Sequence, residues 1–341
     1  MGTTTSAGAA PRSVGLLLAG ALLAACTAAG PPPAVPGPIT PAPSRPVPQA
    51  PAPQAPLPPG PGTTGLADPI DAFLGASRWG RYDRVSAVRV VVDGQVLVDR
   101  RRADLPEQRR EVSGVTAAVV VALVGIVLDR ADPAHPVPGG LGSEGLGGVR
   151  RPVGELVPGP LPEPLAAVAT TPLHDLLVGT SAAPVDELAA LLTVTTGRPV
   201  PELARELLFA PLGIDPPWTA GGPALTAAEL TALGALWLDR GAVGDRQVVP
   251  AAWVDLSARP HTDTGRRRLP YAGYRLWVTR AGGHAATVLT GEDGQLVEVV
   301  PGLDLVVAVT SEPDPDPEVA RPAGSEAFVE LVSSIVVPVL E

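Results

Sequence analysis

Residues 112–128 read VSGVTAAVVVALVGIVL, seventeen consecutive positions that carry no charge and are apolar on every side of a helix. A helix of that kind must be covered all round, by protein or by lipid. A bilayer span needs about 20 such residues, and Asp129-Arg130 ends this run. Burial in protein is therefore the expected fate. Covering the rod requires a sizeable domain, and a chain that is 45% hydrophobic and 18% charged can form one.

Two absences limit the chemistry of that domain. All 25 basic residues are arginine, and neither lysine nor asparagine occurs anywhere in the 341 residues. Serine–lysine nucleophile pairs, lysine Schiff bases, the phosphate-loop lysine and Asn-linked glycosylation are thereby excluded. The net charge of −10 argues against nucleic acid as a partner, because no basic surplus exists to release counterions. The run Arg266-Arg267-Arg268 reads as a solvated turn. One cysteine permits neither an internal disulfide nor a multi-cysteine metal site. No cofactor is expected.

That cysteine, Cys26, follows VGLLLAGALLAA at 14–25. The run has signal-peptide length and is too short to span a bilayer. With Leu23-Ala24-Ala25 before the cysteine, it resembles the lipobox of bacterial lipoproteins. The resemblance implies cleavage before Cys26, its lipidation, and a mature chain anchored on the extracytoplasmic face of the membrane. Residues 31–61 then hold fifteen of the chain's 43 prolines. Proline fixes φ and removes an amide donor, so this tract is expected to be an extended spacer of about 3.1 Å per residue. The expected layout is a signal over 1–25, a proline-rich linker over 26–64 and one folded domain over 65–340.

The pattern within the domain changes twice. A helix is expected at 67–77, then a hairpin at 85–101, because Asp93-Gly94 supplies the two positive-φ positions of a type I′ turn. Helical patterns follow at 185–196, 201–209, 226–240 and 250–257. Thr226 with Glu229 three residues on fits a capping box. Beyond Tyr271, YRLWVTR, HAATVLT, GQLVEVVP and LDLVVAVTS read as four strands, and 323–340 as a closing helix. The expected class is α+β, an α/β sandwich. An antiparallel sheet from both termini (65–130 and 266–340), flanked by helices, carries an all-helical insertion (131–265).

Several strings resemble the serine β-lactamase and penicillin-binding-protein superfamily, particularly its class C-like branch. They are GGPALTAAELTALGALWLDRGAVGDRQVVPAAWV at 221–254, ELARELLFAPLGI at 202–214 and GQLVEVVPGLDLVVAVTS at 294–311. The resemblance spans roughly 66–340 and implies three catalytic constellations.

The first is Ser-x-x-Lys at the start of the buried central helix, whose spacing sets an amine beside the hydroxyl. ALVGIVLDR at 122–130 fixes the register and places the nucleophile position at Gly114 and the lysine position at Ala117. The second, Tyr-x-Asn, falls at Thr180-Ser181-Ala182. The third, a Lys-Thr-Gly or His/Asn-x-Gly triplet on the strand beside the nucleophile, falls in Gly291-Glu292-Asp293-Gly294-Gln295. Glu292 and Asp293 would repel the substrate carboxylate that a cationic cleft attracts.

Loss of all three implies a non-catalytic homologue with a binding or scaffolding role, its partner an envelope protein or peptide. The candidate ligand cleft comprises Ser113, Gly114, Ser181, Gly291, Asp293, Gly294 and Gln295. The small Gly114 and Ala117 either leave a shallow cavity, where amides at the helix start could receive an anion or a peptide carbonyl, or sit in a filled-in core with no ligand. The alternative is an active serine hydrolase using Ser113 or Ser181, with His174 or His284 as base. Ser113 alternatively caps the helix. Metal binding by His261 with Asp263, or by His284, Glu292 and Asp293, matches no ligand spacing, and no metal is expected.

Overall fold

The computed structural model describes residues 64–75, 84–101, 108–130, 145–157, 159–180, 185–291, 294–312 and 324–341. The signal, Cys26 and most of the proline-rich linker lie outside the described residues.

The hairpin forms as its turn demands. Asp93 and Gly94 have φ of 49° and 69°, joining β1 (Val85–Val92) to β2 (Gln95–Arg101). β3 (Thr262–Asp263), β4 (Tyr271–Ala272), β5 (Trp277–Ala281), β6 (His284–Thr290), β7 (Leu296–Val300) and β8 (Leu305–Ser311) complete the main sheet. Its order is β2-β1-β8-β7-β6-β5-β4-β3. Every described pairing in it is antiparallel, and Val90 lies opposite Val307 and Val92 opposite Leu305. The last strand therefore sits beside the first, which is how one sheet arises from both ends of the domain.

Both faces of this sheet are covered, so its central strands are buried at every position instead of alternating. α1 (Thr64–Gly75), α7 (Gly324–Leu331) and the helical turns to Leu340 share one core with Val88, Val90, Val288, Val307 and Val309. The opposite face packs on α5 (Ala227–Leu238), which begins with the expected capping box of Thr226 and Glu229. Close approach needs Gly234, where a Cβ would lie 2.6 Å from Val306 and 2.7 Å from Val297.

Behind that face runs α2 (Ser113–Arg130), and its residues 114–128 are all buried. Burying each large aliphatic side chain contributes roughly 1.5–3 kcal/mol, so the rod is stabilised mainly by its surroundings. Those include α4 (Asp186–Thr196) and α6 (Ala251–Ser257). Trp253 of α6 donates its indole N–H to the Val121 carbonyl at 2.9 Å and lies against Gly125. Among the described residues no helix is long and apolar enough to cross a membrane.

The middle of the chain is less purely helical than expected. Arg110–Glu111 pairs with Gly222–Leu225, which pairs with Trp218–Thr219, and Ala242–Val243 pairs with Arg246–Gln247. These two- to four-residue ladders are too short to show alternation in sequence. The expected helix at 201–209 is helical over Val200–Ala204 and continues as a wider turn over Arg205–Phe209.

Candidate functional site

The start of α2 is fixed from two sides. Val112 donates its amide to the Pro223 carbonyl at 3.4 Å, and the Thr116 hydroxyl donates to the Gly221 carbonyl at 3.1 Å. Gly222 has φ of 118°, and a Cβ there would fall 1.9 Å from the Thr116 hydroxyl oxygen. Thr116 thus spends its proton on carbonyl oxygens, and carbonyls do not activate a hydroxyl for attack.

Gly114, the second residue of α2, faces the end of β6. A Cβ on it would lie 1.8 Å from the Thr290 carbonyl oxygen, 2.8 Å from that carbonyl carbon and 3.0 Å from Gly291 Cα. All three are backbone atoms. Thr290 is held in turn by pairing with Leu296 and by the Trp277 indole, which donates to its hydroxyl at 3.1 Å. Of the two readings of Gly114, the filled-in one fits this geometry: strand backbone occupies the volume a side chain would take. Ala117, three residues on, is buried in the core at 1% exposure.

Gly114, Gly291, Gly294 and Gln295 do come together. Gly291 donates its amide to the Gln295 carbonyl at 2.8 Å. The Gln295 side chain folds over Gly291, and a Cβ there would lie 2.4 Å from its Oε1. That Oε1 is buried without a hydrogen-bond partner. Ser311 donates to the Gly294 carbonyl at 3.3 Å. Ser181, Ala182, Glu292 and Asp293 lie outside the described residues, as does the Ser113 side chain. Thr180 is half-buried at the end of a segment that leaves α3 (Leu173–Leu177) and bonds to Gly273 through Gly179.

The candidate bases are engaged elsewhere. His284 opens β6, six residues from Thr290, and its Nε2 lies 3.0 Å from Glu341. At about 3.4 Å per residue, that is roughly 20 Å from Gly114, so His284 is not a base for this position. His174 meets the phenol of Tyr274 at 2.7 Å. His261 meets the Leu256 carbonyl at 2.9 Å, and Asp263 accepts the Gly265 amide at 2.7 Å. Among the described residues no three His, Cys, Asp or Glu side chains are grouped to hold a metal ion.

Two ionisable features escaped the sequence reading. His174, His261 and Tyr274 form a compact ring cluster, and burial pushes the Tyr274 phenol up to about 12. Glu298, in the middle of β7, has 0% exposure, and neither carboxylate oxygen has a partner. Burial drives its pKa well above the ordinary carboxyl value, because the charged form loses its hydration there. A lone acid in the otherwise apolar LVEVV was the available signal. The ring cluster left none, because His174 and Tyr274 are 100 residues apart.

No family model and no curated protein matches the chain by sequence. Solved structures match it in fold. A class C β-lactamase from Rhodobacter sphaeroides aligns at a TM-score of 0.54 and 13% identity, covering 81% of this chain and 100% of its own. The fold is that of the serine β-lactamases and penicillin-binding proteins. An octameric penicillin-binding-protein homologue from Pyrococcus abyssi shares it at a TM-score of 0.55 and 12% identity, covering 77% of this chain and 76% of its own. A Bacteroides dorei protein provisionally assigned as a β-lactamase aligns at 0.61 and 17% identity, covering 80% of this chain and 98% of its own. A shared β-lactamase-like fold at such identities carries architecture and leaves activity to be argued from residues.

Proposed function

We propose that this protein is a β-lactamase-related envelope lipoprotein that has lost serine-hydrolase catalysis and acts as a binding or scaffolding domain. The observation that carries the reading is the Thr290 carbonyl standing where a side chain at position 114 would begin. In the register of ALVGIVLDR, that position is the nucleophile's. Independently of register, a chain without lysine cannot assemble the serine–lysine pair, and one without asparagine cannot assemble Tyr-x-Asn.

Hydrolysis through Ser113 or Ser181 is the competing reading. A chromogenic cephalosporin and a p-nitrophenyl ester separate the two. The proposal expects hydrolysis by the purified domain at the buffer rate; turnover abolished by Ser113→Ala or Ser181→Ala would overturn it. Anchoring has its own assay, since the apolar run before Cys26 and the proline-rich tract after it support export and tethering. Cys26→Ser should abolish lipid attachment and the cleavage before position 26. Unchanged processing and fractionation would refute the lipid anchor.

A further inference from the structure

The segment leaving α3 is fastened to the β4–β5 turn by backbone and rings together. Gly179 donates to the Gly273 carbonyl at 3.1 Å, Tyr274 donates to the Ser257 carbonyl at 2.9 Å, and His261 donates to the Ala272 carbonyl at 2.8 Å. Val178 and Tyr274 form an isolated antiparallel bridge. Over this frame the His261 ring stacks on Tyr274, with centroids 4.4 Å apart and planes at 11°. His174 stands edge-on to His261 at 5.1 Å.

Proton bookkeeping across the cluster permits one neutral arrangement. Tyr274 is fully buried and keeps its proton. Among the described residues the only hydrogen-bond partner of its hydroxyl is Nδ1 of His174, so the phenol donates and that nitrogen accepts. His261 must carry its hydrogen on Nε2 to donate to the Leu256 carbonyl. These tautomers are assigned from the network. A second proton on His174 would sit at Nδ1, facing the phenol hydrogen, and the hydroxyl would have to turn away from its acceptor. A second proton on His261 would place a cation on a half-buried ring beside another imidazole.

The surrounding charges oppose protonation. Arg259, after α6, and His174 both act against charge on His261. Arg150, from the turn Gly145–Arg150, acts on Tyr274. Arg275, on the β4–β5 turn with φ of 55°, donates to the Leu176 carbonyl at 2.6 Å. The nearby carboxylates are committed or remote: Glu187 acts on Arg275, Asp255 pairs with Arg240, Asp263 accepts the Gly265 amide, and Asp175 is exposed on α3. No carboxylate among the described residues forms an ion pair with either imidazole.

We propose that the His174–Tyr274–His261 cluster is an acid-sensitive latch, which releases the 173–180 segment from the β4–β5 turn when His261 takes up a proton. Burial above all, helped by His174 and Arg259, lowers the His261 pKa below its ordinary value, against the upward pull of the Leu256 carbonyl. The closed form thus binds fewer protons than the open one. Closure is complete above the ordinary imidazole value and weakens as pH falls through and below it. The opening equilibrium changes by up to about tenfold per pH unit for each proton coupled.

Hydrogen–deuterium exchange on the full chain at pH 7.5 and 5.5, corrected for intrinsic exchange, tests the latch. Peptides covering 173–180 and 271–276 should lose up to about tenfold protection at the lower pH, while β1 and β8 keep theirs. His261→Phe preserves a stacked ring and removes its proton, so it should flatten most of that dependence. Equal protection at both pH values, or full dependence retained in the variant, would overturn the proposal. Should that variant not fold, imidazole titration of the wild-type chain by NMR decides instead: His261 must titrate below the ordinary imidazole value, and a value at or above it refutes the latch.

Discussion

Substituting Gly114 measures directly whether a pocket exists at the start of α2. In Gly114→Ala the new Cβ would begin 1.8 Å from the Thr290 carbonyl oxygen and 3.0 Å from Gly291 Cα. Ordinary contacts of this kind need about 3.5 Å, so helix and strand must separate by more than an ångström. Neither side yields cheaply. Thr290 is fastened to Leu296 and to the Trp277 indole, and α2 is buried from 114 to 128. Overpacking of a close-fitted core costs about 1–3 kcal/mol, occasionally more, and a backbone-on-backbone clash belongs at the upper end. Replacing a helical glycine by alanine returns about 1 kcal/mol. The net expectation is a loss of about 2 kcal/mol, or roughly 4–8 °C in Tm for a domain of this class, read by thermal and urea unfolding. Gly114→Ser should lose at least as much. A Gly114→Ala variant as stable as wild type, or more stable, would mean open space above the helix start and refute the reasoning.

Two further substitutions probe what supports the same architecture. Glu298→Leu should raise stability by about 1–3 kcal/mol by removing two buried, unpartnered oxygens. Because the folded pKa of Glu298 is raised, the wild type binds the extra proton when folded. Its stability should therefore fall as pH rises above 4.5, by at most about 1.4 kcal/mol per pH unit; the leucine variant should lack that slope, and an unchanged slope would contradict it. Thr226→Ala removes the hydroxyl that accepts the Glu229 amide at 3.1 Å and should cost about 1 kcal/mol in chemical unfolding. Burial pushes the Glu229 pKa up, but hydrogen bonds from Arg109 and from the Thr226 amide outweigh it and hold the pKa below the ordinary value.

The parts of this molecule legible in sequence are those fixed by local rules. Asp93-Gly94 had to turn with positive φ, Thr226 and Glu229 had to cap a helix, and an all-apolar rod had to be enclosed. Each involves residues within a few positions of one another, and each appears where expected. What stayed hidden depends on distant contacts. The closing of the space at Gly114 is made by the Thr290 backbone, 176 positions away and indifferent to side-chain identity. The arginine run shows both levels at once. Its exposure as a turn was readable, whereas the pairing of Arg266 with Glu326 and Arg268 with Glu330, one turn apart on α7, required the fold to bring loop and helix together. The same holds for His174, His261 and Tyr274, whose relation is set by three separate connections.

The proposal that this domain has lost serine-hydrolase catalysis is tested most directly by intact-mass analysis after incubation with a fluorophosphonate and a fluorescent penicillin. The account predicts an unchanged mass with both probes. A stoichiometric covalent adduct that disappears in Ser113→Ala or Ser181→Ala would contradict it.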